Sequence, residues 1–240
     1  MVKCRHGVIK TSCAFCSQFE FIPIRYRMAK VAFVSFSTDS YIKVEQGFSR
    51  SIQKIQPELP IFSLHDFKII GSPTHKEDPY AFKIYAIEYV RNQGYDIVIW
   101  CDSPTRLVKR IDDWIPEIAK VGVYLQKDGW SCGQWANDNA LQWFGKTRDE
   151  AMNISSIYAC IMAFDFRHPI TNQFITIWKD CCKAGLFRGK WNNKEKTESQ
   201  DERCLGHRHD QTCAELIANR LGIEPQPLVL KNFFLTWIEV

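Results

Sequence analysis

The sequence predicts an α/β domain built on an open, mixed but mostly parallel sheet with helices against its faces. Apolar runs and amphipathic helical patterns alternate between residues 30 and 100, in the strand–helix–strand order that is typical of such sheets. Over residues 95–100 the hydrophobicity is continuous rather than alternating, which indicates a strand covered on both faces. The length of 240 residues suffices for one large domain with a buried core.

Each element of the first half has a local signal. Residues 30–36 form a β-rich apolar run, and residues 43–56 carry apolar side chains at spacings of three and four, which predicts a helix. Residues 61–64 are the second predicted strand. Asp78 and Pro79 then predict the N-cap and the first position of a helix that leads to the strand at residues 95–100.

The second half follows the same signals. The predicted order is a strand over 122–125, a tryptophan-rich loop over 128–146, a helix opened by a capping box at 147–150, a strand over 156–164, a helix over 169–184, a loop near the site over 185–206 and a helix over 212–221. Trp130, Trp135 and Trp143 in the tryptophan-rich loop either stack on a sugar or base or pack internally.

The strand at residues 95–100 leads to the strongest candidate for a site. Ligands of open α/β sheets bind beyond the carboxyl ends of the strands, and Asp102 stands at that end. A carboxylate at the end of a buried strand is costly unless it has a partner. Asp102 therefore either caps the next turn or binds a divalent cation that bridges phosphates.

A second candidate site lies at the N-terminus. Cys4, His6, Cys13 and Cys16 provide four zinc ligands within a compact spacing that ends in Cys-x-x-Cys. The sequence therefore predicts a structural zinc knuckle over residues 1–28, followed by the main domain over 29–240. Such a knuckle would stabilise the N-terminus or help to bind nucleic acid. The alternative is a set of unrelated thiols.

The charge balance and the N-terminal composition indicate where in the cell the protein is expected. The formal charge is +4, from 31 basic and 27 acidic residues, a weak excess that permits contact with a polyanion without demanding it. No apolar run approaches the roughly 18 residues that span a bilayer, and no secretion signal is recognisable. We therefore expect a protein of the cytoplasm, or of the host cytoplasm if the source is viral, with reduced cysteines.

Several of these features, in this order, resemble the nucleotide-diphospho-sugar glycosyltransferases of the GT-A fold over residues 30–225. The resemblance is nearest to family 8-type retaining enzymes and to related capsular and viral ones. It rests on a first strand, a helix that carries Lys83, a buried strand that ends at Asp102, and the late pair Asp210 and Gln211. In such enzymes a strand-ending Asp-x-Asp binds manganese, and an Asp-Gln pair lies at the donor sugar.

The resemblance assigns roles to individual residues. Asp102 matches the first metal-binding aspartate, and His207 or His209 resembles the late histidine that completes the coordination of Mn²⁺ or Mg²⁺. Asp210 and Gln211 match the pair near the reacting carbon, where carboxylate or amide oxygens help an oxocarbenium-like centre. They are the catalytic candidates.

The donor is assigned to further residues. Ser37 and Thr38, small polar residues after the first strand, are candidates for the nucleotide. Lys83 either approaches the diphosphate or is an exposed helical lysine. The sequence departs from the motif at Pro104, which replaces the second aspartate. The metal is then held by Asp102 with His207 or His209, bound more weakly, or absent.

The resemblance implies transfer of a sugar from a UDP-type donor to a hydroxyl. The acceptor is a hydroxymethylated DNA base, as in viruses with modified DNA, or a glycan. A nucleotidyltransferase is an alternative, but residues 37–39 do not resemble the Gly-rich basic loop of such enzymes. A non-catalytic zinc protein that binds nucleic acid is another, although it would leave Asp102 and residues 207–211 without a role.

Overall fold

The computed structural model describes residues 29–227 and 230–236. The predicted zinc ligands Cys4, His6, Cys13 and Cys16, and with them the division after residue 28, lie outside the described residues. Within the described part, no helix is both long enough and apolar enough to cross a membrane.

Nine strands and nine α-helices make up the described part. In chain order they are β1 (Val31–Phe36), α1 (Tyr41–Ile55), β2 (Ile61–Leu64), α2 (Phe67–Ile70), α3 (Phe82–Asn92), β3 (Ile97–Cys101), β4 (Thr105–Leu107), α4 (Ile115–Val121), β5 (Val123–Tyr124), β6 (Lys127–Ser131), α5 (Cys132–Trp135), α6 (Asp138–Phe144), α7 (Arg148–Met152), β7 (Ser155–Ile157), β8 (Ile161–Asp165), α8 (Pro169–Lys183), α9 (His209–Leu221) and β9 (Phe234–Thr236). A 3₁₀ turn, Leu230–Asn232, precedes β9.

The central sheet has five strands in the order β2-β1-β3-β8-β5. Strand β1 pairs in parallel with β2 and β3, whereas β8 pairs antiparallel with β3 and β5. Four of these five strands therefore run in one direction and β8 runs against them. The predicted mixed, mostly parallel α/β sheet is confirmed.

Strand β1 shows why the apolar runs are continuous. Ala32 and Val34 pack into the core on one face of the sheet, beneath α3, α8 and α9. Val31 and Phe33 pack into the core on the other face, with α1, α4 and the β9 segment. Because both faces are covered, successive side chains are all buried, and burying one as large as Phe33 contributes about 1.5–3 kcal/mol.

Helix α3 begins later than the sequence predicts. Asp78 and Pro79 are not its N-cap and first position, because the helix starts at Phe82. The intervening Tyr80 has φ +61°, a left-handed conformation that a right-handed helix cannot contain. Asp78 instead accepts a hydrogen bond from Arg188 Nε at 2.8 Å. The Tyr80 ring lines the cavity that is described below.

Two predicted segments of the second half are also wrong in detail. The tryptophan-rich loop over 128–146 contains most of β6 together with α5 and α6, and the single strand over 156–164 is two strands, β7 and β8. Strand β7 pairs with β6 in a separate small sheet. It is held there by Glu215 of α9, which accepts from Ser156 Oγ at 2.6 Å and from the Ile157 amide at 3.1 Å. The capping box of Thr147 and Glu150 is confirmed.

Candidate functional site

A cavity of about 490 Å³ opens at the carboxyl ends of β1 and β3. Residues 37–41, which follow β1, form one wall, and residues 102–104, which follow β3, form another. Aromatic side chains of Tyr80 and Phe82 and the side chain of Lys83 close it on the α3 side. The cavity thus lies where the sheet topology predicts a ligand.

Lys83 lies at the centre of a buried ionic cluster. Its Nζ is 3.4 Å from Asp102 Oδ1 and 3.0 Å from Asp210 Oδ2, and it donates to the carbonyl of Ala159 at 3.2 Å. Only 3% of the residue is exposed, which excludes the interpretation as a solvent-facing helical lysine. The structure therefore brings together three of the predicted residues, which we call the Lys83 cluster: Asp102, Lys83 and Asp210.

The ionised groups of the Lys83 cluster stabilise one another. Burial lowers the pKa of the Lys83 ammonium, but the charges of Asp102 and Asp210 outweigh burial and raise that pKa above its ordinary value. Burial raises the pKa of the Asp210 carboxyl, and the Lys83 ammonium opposes that rise. The rings of Tyr80 and Trp100 lie 5.5 and 5.6 Å from Nζ, so the cation is also enclosed by aromatic faces.

Each carboxylate of the cluster is fixed by its own element. Asp102 follows β3, and its Oδ1 accepts from Trp100 Nε1 at 2.8 Å. Asp210 is the second residue of α9, and its carbonyl accepts from Trp178 Nε1 at 3.0 Å. The break between β7 and β8 supplies the third partner, because it leaves the carbonyl of Ala159 free to accept from Lys83.

The predicted histidine ligands are engaged elsewhere. His207 Nε2 donates to the carbonyl of Leu186 at 2.8 Å, and Nδ1 accepts from the Asn137 amide at 3.3 Å. Both ring nitrogens are therefore used, and burial lowers the pKa of His207 to about 3, which keeps the ring neutral. His209 Nδ1 donates to the carbonyl of Phe187 at 2.7 Å.

These contacts decide how well the site fits a divalent metal. Among the described residues, no group of three or more His, Cys, Asp or Glu side chains lies close enough to hold a metal ion. Asp102 is paired with Lys83 rather than with His207 or His209. The ligand set that the sequence predicts for Mn²⁺ or Mg²⁺ is thus not assembled in this geometry, since octahedral cations need several free oxygen ligands.

The remaining predicted residues divide between two places. Ser37 and Thr38 line the cavity, and Ser37 Oγ lies 3.2 Å from His65 Nδ1. The Gln211 amide instead lies near β7, where its Nε2 donates to Ser156 Oγ at 3.2 Å and to Glu215 Oε1 at 3.1 Å.

Sequence reasoning missed Glu215. This residue is 1% exposed, and burial raises the pKa of its carboxyl to about 7, although four hydrogen bonds oppose that rise. The available signal was its position, since Glu215 follows Gln211 by one helical turn on the buried face of α9.

An aromatic surface continues outward from the cavity, and we define it by Tyr80, Trp191, Trp135 and Trp130. Trp191 packs edge-on against Tyr80 with ring centroids 6.2 Å apart. The Arg208 guanidinium lies 4.0 Å from the Trp135 ring and 6.0 Å from the Trp191 ring. Trp130 packs edge-on against Trp135 at 5.9 Å. About half of Trp191 and of Trp130 is exposed.

The third predicted tryptophan has different partners. Trp143 packs against Phe144, and the Arg220 guanidinium lies 5.1 Å from its ring. Of the three tryptophans in the segment, Trp130 and Trp135 thus belong to the aromatic surface, whereas Trp143 has its contacts in another part of the fold.

Comparisons with known proteins were made with the sequence and with the fold. No protein-family model matches the chain, and no curated protein sequence matches it. Among solved structures, the apo form of mouse xyloside xylosyltransferase 1 overlaps with a TM-score of 0.45 at 11% identity, over 83% of this chain and 85% of that one. The apo structure of the bifunctional glycosyltransferase WbbM gives 0.46 at 14% identity, over 81% of this chain and 37% of that one.

A third solved structure is the galactosyltransferase LgtC in complex with donor and acceptor sugar analogues. It gives a TM-score of 0.38 at 11% identity, over 64% of this chain and 65% of that one. The chain spans little more than a third of the WbbM chain. All three of these proteins are named as glycosyltransferases.

Proposed function

We propose that this protein is a nucleotide-sugar-dependent glycosyltransferase that moves a sugar from a UDP-type donor to a hydroxyl acceptor. The observation that carries the proposal is the Lys83 cluster at the edge of the cavity beyond β1 and β3. Buried charges with perturbed pKa values in a cleft are characteristic of functional sites. A cavity of about 490 Å³ is also within the size range of small-ligand pockets.

The chemistry of sugar transfer suits these groups. Carboxylates accept hydrogen bonds from sugar hydroxyls, and a carboxylate near the anomeric carbon stabilises the positive charge that develops there. We assign Asp102 to donor hydroxyls and Asp210 to the neighbourhood of the reacting carbon. Ser37 and Thr38, on the opposite wall, are assigned to the nucleotide. Gln211 remains a catalytic candidate, and in the described geometry its amide holds Glu215.

The aromatic surface is the proposed acceptor site. Its exposed rings lie next to Tyr80, which lines the cavity, so an acceptor stacked there would present a hydroxyl toward the donor. Nucleobases and sugar rings both stack on tryptophan. Arg208 on this surface, which also pairs with Asp128 at 3.6 Å, and the weak basic excess of +4 are compatible with a hydroxymethylated base in DNA, the acceptor that we propose, and a glycan is the alternative.

The donor is tested by incubating the purified chain with a panel of UDP- and GDP-sugars and following released nucleoside diphosphate by chromatography. We expect slow hydrolysis without acceptor, since water can replace the missing nucleophile, and a loss of it in Asp102→Asn and Asp210→Asn. Asp180→Asn is the matched control, because this carboxylate is exposed and pairs with Lys183 of the same helix. Turnover of ATP or CTP to pyrophosphate would favour a nucleotidyltransferase. If the protein turns over neither nucleotide-sugars nor nucleoside triphosphates, a non-catalytic protein is favoured.

The acceptor is tested with duplex DNA that contains hydroxymethylated bases, beside a set of oligosaccharides. Transfer to the modified DNA, with binding that weakens steeply as salt increases, is the expected result. Transfer to an oligosaccharide, without a gel shift of DNA at low salt, would instead establish a glycan acceptor.

The N-terminal zinc knuckle, the domain division after residue 28 and the cytoplasmic location remain proposals. Cys4, His6, Cys13 and Cys16 are soft ligands within thirteen residues, as structural zinc sites require. Elemental analysis should find about one zinc per chain, and the double variant Cys13→Ser/Cys16→Ser should lack it. Metal-free wild-type protein would end this proposal.

A further inference from the structure

We propose that the Lys83 ammonium occupies the position that a divalent cation takes between two carboxylates, so that this site binds its nucleotide-sugar donor without a divalent metal. The part about the donor rests on the proposed function above. The part about the cation rests on the geometry of the Lys83 cluster alone.

The first support is the set of partners around Nζ. An ammonium is a cation with three N–H donors and no acceptor. It forms ion pairs with Asp102 Oδ1 at 3.4 Å and Asp210 Oδ2 at 3.0 Å, and it donates a hydrogen bond to the carbonyl of Ala159 at 3.2 Å. A divalent cation placed between the same two carboxylates would lie within a few ångströms of the ammonium and would be repelled by it.

The second support is that Lys83 is held in this place. Its side chain is 4% exposed, and its cation lies against the rings of Tyr80 and Trp100. Moving the ammonium aside to admit a metal would leave a charge in a buried, largely aromatic space. The cation therefore belongs to the fold of the site.

The third support comes from the chain beside Asp102. Pro104 stands where a second aspartate would complete the metal motif, and its side chain has no oxygen ligand. Of the two predicted histidine ligands, His207 uses both ring nitrogens in hydrogen bonds to backbone groups, and His209 uses Nδ1. The loss of metal ligands and the presence of a buried ammonium thus occur together at one site.

This arrangement makes Lys83 a positioning residue. Because its ammonium is paired with both carboxylates and hydrogen-bonded to the carbonyl of Ala159, it acts through Asp102 and Asp210, whose orientation it fixes from one side. Asp102 also reaches the cavity, where about a quarter of its side chain is exposed. A donor hydroxyl would therefore meet a carboxylate that is already oriented.

The experiment is a titration of the full-length, chelator-treated protein with Mn²⁺, followed by calorimetry and by the electron paramagnetic resonance of free Mn²⁺. Manganese prefers oxygen ligands, so the N-terminal cysteines do not interfere. We expect no Mn²⁺ bound to the wild type at millimolar concentration. We expect binding of about one Mn²⁺ to Lys83→Ala, which frees the two carboxylates, and its loss in Lys83→Ala/Asp102→Asn.

Two results would overturn the proposal: Mn²⁺ binding by the wild type that Asp102→Asn abolishes, or a folded Lys83→Ala protein that binds no Mn²⁺. The donor provides a measurement on wild-type protein alone, in case the alanine variant does not fold. Its Kd should change less than twofold between Mn²⁺ and chelator, and a tenfold weakening in chelator would contradict the proposal. If no nucleotide-sugar binds, the proposed function fails, whereas the Mn²⁺ titration still decides where the cation lies.

Discussion

Two buried cations in this protein, Lys83 and Arg148, are held in different ways. Arg148 donates to two backbone carbonyls at the α5 segment, at 2.6 and 2.5 Å, and to Asp138, whose side chain is 62% exposed. Lys83 pairs with two carboxylates, Asp102 and Asp210, of which the second is buried. In the first group two carbonyl dipoles and one exposed carboxylate hold the guanidinium through its terminal nitrogens, and in the second group the negative charges outnumber the cation.

Under the proposed function, this difference separates a structural cation from a functional one. The Arg148 group joins α5, α6 and α7, and its partners include no residue of the cavity. Lys83 and Asp102 line the cavity, and the Asp102 carboxylate, with about a quarter of its side chain exposed, can accept hydrogen bonds from a ligand there. An excess of acceptors beside a cavity is what sugar hydroxyls need, whereas a balanced group inside the fold gives stability.

The largest expected effect is on stability. The second substitution that restores the lost stability should differ between the two cations. Lys83→Met and Arg148→Met should each lower the free energy of unfolding by about 3–5 kcal/mol, because each leaves buried partners unpaired. Asp210→Asn should recover much of the loss in Lys83→Met, since the unpaired carboxylate causes it. Asp138→Asn should recover nothing in Arg148→Met, since the unpaired groups there are carbonyls. Urea unfolding of the two single and the two double variants measures these changes. Equal recovery of stability in both double variants would contradict the distinction between the two cations.

Glu215 is another buried ionisable group, and it forms no ion pair within the described part of the chain. Its titration should be visible in the pH dependence of stability. Burial raises the pKa of its carboxyl to about 7, so the folded protein holds this proton more tightly than the unfolded chain, whose value is near 4.5. Its contribution to stability is therefore complete below about pH 4.5 and is lost as pH rises through about 7. Relative to Glu215→Gln, the wild type should lose roughly 3 kcal/mol over that range.

The comparison with Glu215→Gln is necessary because His207 acts in the opposite direction. Burial lowers the pKa of His207 to about 3, so its contribution to stability grows as pH rises from about 3 toward 6.5. We compare the free energies of unfolding of the wild type and Glu215→Gln, measured in urea at pH 4.5, 6 and 7.5. The difference between the two proteins removes the contribution of His207, which both share. Parallel stability curves would show that Glu215 is ionised in the folded protein at all three values.

Donor turnover should again separate Lys83 from Arg148. Lys83→Met removes the group that orients Asp102 and Asp210, and misplacing catalytic groups by about 1 Å costs on the order of 100-fold in rate. Arg148→Met should stay within about threefold of the wild type per folded molecule. Release of nucleoside diphosphate, normalised to the folded fraction from circular dichroism, gives the ratio. Similar losses in both variants would mean that Lys83 serves the fold alone.

The sequence predicts the parts of this protein that local patterns determine. Strands β1, β2 and β3 and the long helices follow from apolar spacing, and Asp102 follows from its place after β3. The β7–β8 break does not, because it depends on Glu215, which lies about sixty residues further along the chain. The left-handed conformation of Tyr80 has no local signal either, because bulky residues rarely adopt positive φ. The resemblance to glycosyltransferases assigned Asp210 to the site, but it could not show that both ring nitrogens of His207 would be hydrogen-bonded to backbone groups.

The smallest expected effect concerns two arginine–tryptophan contacts, Arg208 with Trp191 and Arg220 with Trp143. Stacking of a base or sugar on an aromatic ring is worth about 1–3 kcal/mol. Trp191→Ala should therefore raise the KM for the acceptor by about tenfold, with kcat and donor affinity nearly unchanged, because Trp191 is 52% exposed and adjoins Tyr80 of the cavity.

Trp143→Ala is the matched control for that measurement, since Trp143 is also partly exposed and also lies under an arginine but has no contact with the aromatic surface. Its acceptor KM should stay within twofold of the wild type. A tenfold rise in both variants would mean that the effect is not specific to the aromatic surface, and the proposed acceptor site would lose its support. A rise in Trp143→Ala alone would move the acceptor to the α6 side of the molecule and away from the cavity, and the proposed acceptor site would then be wrong.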